Sequence, residues 1–433
     1  MHAILLAAVV ATLITSAGCR ATEESGVPMS TGRFASDLAF LKEHVEIVLL
    51  TDPSGAQVAV APQYQGRVMT STTGGSDAPS FGWLGRTAIA SRTRAPHMNV
   101  FGGEDRFWLG PEGGQYSLYF KPGDPFDLAH WQVPEPMDWG GWEIVSRSAT
   151  SVHFQRRMAL ENYSRTRFDL QVDRTVRLLP NDEIPALLHV SPGSVVRAVA
   201  FESSNTVTNL GTSPWQAESG LMSIWILGMF NPSSDTTIAI PFAPGSESAL
   251  GPFVNDAYFG KVPADRLVVK DSMVFFRGDG QYRSKIGLSP SRALSMAGSY
   301  NASEHVLTLV NYTRPSNAQR YVNSMWEIQR EPYKGDVINS YNDGPPAPGQ
   351  PPLGPFYELE TSSPALELAA GQQHTHVQRT FHFVGPTTEL DRLARATLGI
   401  GLDALTRAFL AGRVREEELR RRTGVIQSIA GFR

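Results

Sequence analysis

The chain has 433 residues, of which 41% are apolar, 9% aromatic and 18% charged, which excludes an intrinsically disordered polymer of low hydrophobicity and high charge. A formal net charge of −4 offers no broad basic surface to displace counterions, so the balance argues against nucleic acid as a partner. Gly 39 and Pro 30 mark many turns, and a single Cys allows no internal disulfide, so stability rests on buried area.

At the start of the chain, Ala3 to Ile14 is an apolar run shorter than the roughly 20 residues that span a bilayer as a helix, and it fits a secretory h-region. Thr15-Ser16-Ala17-Gly18-Cys19 follows, with small residues before the lone Cys. This segment resembles the lipobox of bacterial lipoproteins. The resemblance implies a signal peptide over 1–18, lipidation at Cys19, and a protein anchored in the bacterial cell envelope facing the periplasm or the exterior. Two or three acyl chains, at about 0.8 kcal/mol per buried CH₂, make a stable membrane partner. The polar, small-residue stretch 19–32 suits a tether to the domain.

Arg33 to Glu43 puts Phe34, Leu38 and Leu41 on one helical face with Ser36 as a candidate N-cap. From Val45 to Val384 the apolar residues fall in short period-two runs separated by Gly, Pro, Asn and Asp. Examples are Val45–Leu50, Gln57–Ala61, Tyr116–Phe120, Phe168–Leu179, Ala198–Leu210, Leu267–Phe276, His305–Asn311 and Gln373–Val384. No alternation of strands with long helices appears, so the fold class expected over 33–386 is all-β, a large antiparallel β-sandwich. The segment 387–433 reads as helical, with helices over Thr387–Leu410 and Val414–Ile429. Asp343 to Pro355 carries six prolines and is either a solvent loop or the rigid rim of a cleft.

Three segments gather polar groups among apolar strands. Asn99 to Gln115 combines five glycines with Glu104, Asp105, Arg106, Trp108, Glu112 and Gln115. Sugar rings call for such a mixture, because their C–H faces stack on aromatics while their hydroxyls take directional hydrogen bonds. The alternative is an ordered loop with Trp108 in the core. Val337 to Gly344 supplies Asn339, Asn342 and Asp343, which are turn formers or ligand contacts. In Phe356 to Thr361, alternation puts Glu358 and Glu360 on one face of a strand and Tyr357 and Leu359 on the other. On a buried face, two such carboxylates raise each other's pKa. His374, His376 and His382 share a strand face; the first two could meet at a metal, but solvent-facing histidines are the expectation, and no metal or cofactor is called for. Trp131, Trp139 and Trp142 either line a cleft or fill the core. There is no GxSxG, Walker or HExxH sequence.

Taken together, several segments resemble the galactose mutarotase-like (aldose epimerase-like) superfamily. Val60-Ala61-Pro62 to Gln65-Gly66-Arg67-Val68 is similar to that family's opening strand and Gly-Gly-Arg-Ile turn, which singles out Arg67. Gly102-Gly103 with Trp108-Leu109-Gly110-Pro111-Glu112 is similar to segments of its hexose-phosphate epimerase branch and of uncharacterised relatives, and Asn205 to Leu210 followed by Trp225 resembles its middle strand. Glu358-Leu359-Glu360-Thr361, with Pro364 and Ala370-Gly371, resembles the strand that bears the general base. The resemblance implies a β-supersandwich with a sugar cleft and Glu360 as base. The three polar segments are expected to form that cleft, with Arg67, Arg106, Trp108, Gln115, Asn339, Asn342, Asp343 and Glu358 as substrate contacts. The catalytic His of the family has no counterpart in Val207-Thr208-Asn209-Leu210-Gly211, so either Glu112 or Asp105 supplies the acid or the activity is absent. The expectation is a lipid-anchored protein that binds or processes a sugar or glycan fragment by acid–base chemistry. The alternative is a non-catalytic glycan-binding or structural envelope lipoprotein.

Overall fold

In the computed structural model, residues 34–74 and 79–410 are described. The signal peptide, Cys19, the tether and the Val414–Ile429 helix expected from the sequence lie outside them.

The period-two runs become strands that bury alternate side chains. In Arg167–Leu179, Phe168, Leu170 and Val172 are buried while Asp169, Gln171 and Asp173 are not. That strand sits in a ten-stranded antiparallel sheet with Ser151–Glu161, Arg197–Asn209 and Gln373–Val384. A five-stranded antiparallel sheet runs in the order Ser284–Leu288, Ile338–Asn342, Tyr357–Ser362, Ser223–Phe230, Arg106–Gly110. A third sheet of three strands holds Val48–Thr51, Gln57–Ala61 and Arg67–Thr72. Phe154, Val172 and Val207 from the large sheet join Leu109, Ile224 and Ile226 from the five-stranded one in a single core, so the two sheets pack face to face as a sandwich.

That interface also carries charge. Arg174 and Asp105, both fully buried, form an ion pair at 2.6 Å, and Arg174 also donates to the Gly66 carbonyl and to Asn205. Ser203 donates to the other Asp105 oxygen at 2.8 Å. Asp105 is thus a structural cross-brace between sheets, which corrects its candidacy as an acid. The histidines are corrected in the same way: His376 and His382 are fully buried, and only His374 is partly exposed. His376 bonds Thr361 at 2.8 Å, while His382 lies 2.7 Å from Glu104 and 2.9 Å from Thr308. Among the described residues, no group of three His, Cys, Asp or Glu is arranged to hold a metal ion.

Several local expectations shift. Tyr116–Phe120 forms turns rather than a strand, yet Leu118, Tyr119 and Phe120 are buried. Leu267–Phe276 is a hairpin of Leu267–Lys270 and Met273–Arg277, turned at Asp271 and Ser272, whose φ angles are 53° and 57°. The first helix spans Phe34–His44, so Ser36 lies inside it rather than capping it. The C-terminal helix is split into Thr387–Leu398 and Leu402–Arg407 at Gly399, which takes φ 77°. Leu390, Leu393, Leu398, Leu402 and Leu405 pack with Phe381, Phe383, Leu307 and Leu309, covering the face of the ten-stranded sheet away from its partner.

Candidate functional site

The outer face of the five-stranded sheet carries the chemistry. Register fixes which side chains share it: Trp108 is opposite Trp225, Leu227 lies between Arg106 and Glu360, and Glu358 lies between Met229 and Tyr341. Lys285 faces Tyr341 from the edge strand. The three polar segments singled out in the sequence converge because each supplies one strand of this sheet. Above it lies an open cavity whose empty space, mouth included, is about 600 Å³. Its lining includes Arg106, Trp108, Glu112, Trp131, Trp225, Arg283, Lys285, Trp326, Tyr341 and Glu358. Leu353 and Phe356 line it too, so the proline segment is a rim; Gly354 N–H donates to Asp343 at 2.9 Å and fixes that rim.

The aromatic wall is continuous. Trp108 contacts Tyr119 and Trp225 at ring-centroid distances of 5.6 Å, and Trp131 stacks near Trp326 at 6.1 Å. The Arg106 guanidinium lies 4.1 Å over the Trp108 ring and donates to Glu358 at 2.8 Å. Burial pushes the Glu358 carboxyl up to about 8, against Arg106 and with help from Glu360. Glu358 and Glu360 do occupy one buried face, as the alternation predicts.

Lys285 binds the cluster together. Its Nζ lies 2.9 Å from Glu360 Oε2 and 4.7 Å from the centre of the Trp225 ring. Burial works against the Lys285 charge, but Glu360, Glu112 and Glu358 outweigh it and raise its pKa. Burial pushes the Glu112 carboxyl up as well, opposed by Lys285 and Arg283 and reinforced by Glu360. Glu360 therefore pairs with the ammonium directly, while Glu112 and Glu358 act on it only through their charge.

Glu360 itself is fully buried and does not line the cavity. Lys285 and the Trp225 indole N–H, each at 2.9 Å, clamp its Oε2, and Oε1 has no hydrogen-bond partner. Direct access of a ligand to this carboxylate is blocked by the two side chains that hold it.

Four more candidate residues stand away from the ligand space. Arg67 is buried against Phe101 and donates to the Gly102 carbonyl and to Gln65; burial depresses its pKa to about 9. Gln115 ties its loop to Gln329 through two backbone groups. Asn342 is on the sheet's inner face and holds Gly280 N–H and the Tyr282 carbonyl. Asp343 accepts from Tyr341 and Gly354. Asn339 lines a smaller adjoining cavity with Tyr258, Asp336, Lys285 and Trp225, and donates to the Tyr258 hydroxyl at 3.1 Å.

Sequence reasoning missed Lys285, Arg283, Trp326 and Phe259. Lys285 and Arg283 belong to the short run Arg283-Ser284-Lys285-Ile286-Gly287-Leu288, whose single cations look like ordinary surface charges until the edge strand pairs with Ile338–Asn342.

Comparison with solved structures finds galactose mutarotase-like proteins. A galactose mutarotase-like protein from Lactobacillus casei ATCC 334 is 11% identical, with TM-score 0.44, covering 78% of this chain and 100% of its own. A galactose mutarotase related enzyme from Lactobacillus acidophilus is 10% identical, with TM-score 0.42, covering 79% and 98%. The Slr1438 protein from Synechocystis sp. PCC 6803 is 13% identical, with TM-score 0.44, covering 79% and 96%. No curated protein matches the chain. Residues 32–409 match the model of a family described as a family of unknown function (DUF6786).

Proposed function

Because the chain belongs to that family, which carries no assigned reaction, we propose its function from the cavity: it binds a carbohydrate there and acts on it by acid–base chemistry through Glu112 and Glu358. The observation that carries this reading is an indole wall, Trp108, Trp131, Trp225 and Trp326, set beside Arg106, Glu112 and Glu358 in one open cavity. Sugar rings stack on aromatics through their C–H faces, and their hydroxyls take directional hydrogen bonds from such charged groups.

Glu112 is the proton donor in this proposal. Its raised pKa favours the protonated form, and it lines the ligand space. Glu358, held by Arg106 with its carboxyl pushed up to about 8, exchanges protons from the sheet floor, as a base above that pH and as an acid below it. Glu360 acts through Lys285 as a positioning residue, because its clamp removes it from ligand contact. That clamp also favours a second reading, a glycan-binding module without turnover, since the strand position that bears the base in the resembling family is here neutralised.

Glu112→Gln separates the two. If the site is catalytic, product formation from a bound glycan, followed by NMR, falls by about 10² to 10⁴ while binding persists. If the wild-type protein binds glycans and never yields a product, the module reading replaces it.

The proposal also places the chain in the bacterial cell envelope, anchored by lipid on Cys19. Cys19→Ser should abolish incorporation of labelled palmitate and move the protein out of the membrane fraction. Persistence of both label and membrane association would refute the anchor.

A further inference from the structure

Building on the carbohydrate reading, we propose that the sugar taken by the cavity bears a carboxylate, a uronate, and that Arg283 receives it. Arg283 lines the cavity, and its guanidinium lies 3.8 Å over the Phe259 ring. The other two cations of the lining are already engaged: Arg106 with Glu358 and Lys285 with Glu360. Among the described residues, no carboxylate or carbonyl pairs with the Arg283 side chain. Glu112 is close enough to feel its charge without forming an ion pair with it.

Stacking on Phe259 uses the face of the guanidinium and leaves its in-plane N–H fork unspent. A half-buried cation with free donors, on the wall of a ligand cavity, selects for an anion. The fork matches the planar, singly charged carboxylate in a bidentate fit. A dianionic phosphate gathers more than one cation or a set of backbone N–H groups, and neither Lys285 nor Arg106 is free to join. The aromatic wall then holds the ring while Arg283 fixes the acidic end.

The test is quenching of tryptophan fluorescence in the full-length protein by D-glucuronate, D-glucose, D-glucose 6-phosphate and D-glucose 6-sulfate, which differ at one carbon. Glucuronate should bind at least about tenfold tighter than glucose, the discrimination of a charge-assisted contact. Arg283→Gln should erase that preference, and Arg283→Lys should retain part of it. Far-UV circular dichroism and a thermal melt like those of the wild type certify the fold of the variants. Equal binding of glucuronate and glucose, tighter binding of the phosphate or the sulfate, or a glucuronate preference that survives Arg283→Gln overturns the carboxylate assignment alone. Absence of quenching by all four sugars overturns the carbohydrate reading beneath it.

Discussion

Replacing Lys285 by Met keeps the side chain's length and removes its charge. Lys285 is 7% exposed at its side chain and Glu360 is 0% exposed, with 2.9 Å between Nζ and Oε2. In the variant, Glu360 retains the Trp225 N–H but loses its counter-charge, and Oε1 is already without a partner. Breaking a buried ion pair from one side costs about 3 to 5 kcal/mol, because a buried charge is left uncompensated. The double variant Lys285→Met/Glu360→Gln carries no buried charge at this position and should recover most of the loss. Urea denaturation of the wild type, the single variant and the double variant measures these differences. A single variant within about 1 kcal/mol of wild type would refute the view that these two groups form a desolvated pair.

Three other expectations follow from the same structure. Glu358, pushed up to about 8 chiefly by burial, binds a proton in the folded state that the unfolded chain releases near its ordinary value, so its contribution to stability falls as pH rises from about 4.5 to about 8. Glu358→Gln should flatten the measured slope in that window, and an unchanged slope would count against it. His376 is held neutral with its pKa depressed to about 3 by burial, so folding is weakened as pH falls from about 6.5 to about 3. His376→Gln should resist acid better than wild type in a pH titration followed by circular dichroism, and equal or earlier unfolding would contradict this. At Gly82, an added Cβ would lie 2.1 Å from the Met69 carbonyl oxygen, so Gly82→Ala should lower stability by about 3 kcal/mol or more, read from the denaturation midpoint, with a loss under about 1 kcal/mol as the contrary result.

The sequence carried the sandwich because half-buried strands leave a local signature: Phe168, Leu170 and Val172 alternate with Asp169, Gln171 and Asp173 wherever the chain is read. It carried the pairing of Glu358 with Glu360 on one face for the same reason. It did not carry Lys285, since a single Lys in a short strand gains its meaning from partners 75 residues away, as in its bond to Glu360. Arg67 misled in the opposite direction. The family resemblance of its Gly-Arg turn points to a ligand contact, but Gly102 and Gly103 bring their backbone close enough to bury the guanidinium against a carbonyl instead. The broken C-terminal helix is a matter of Gly399 and Gly401, which helical periodicity alone runs through.

The central claim is that the indole-lined cavity on the outer face of the five-stranded sheet is a carbohydrate site. A glycan array probed with the full-length protein and with Trp326→Ala tests it most directly, because Trp326 lines the cavity without belonging to the sheet's ion pairs. The wild type should retain a bounded set of glycans and the variant should lose them. Folded wild-type protein that retains no glycan, or a variant that retains the same set equally well, contradicts the claim.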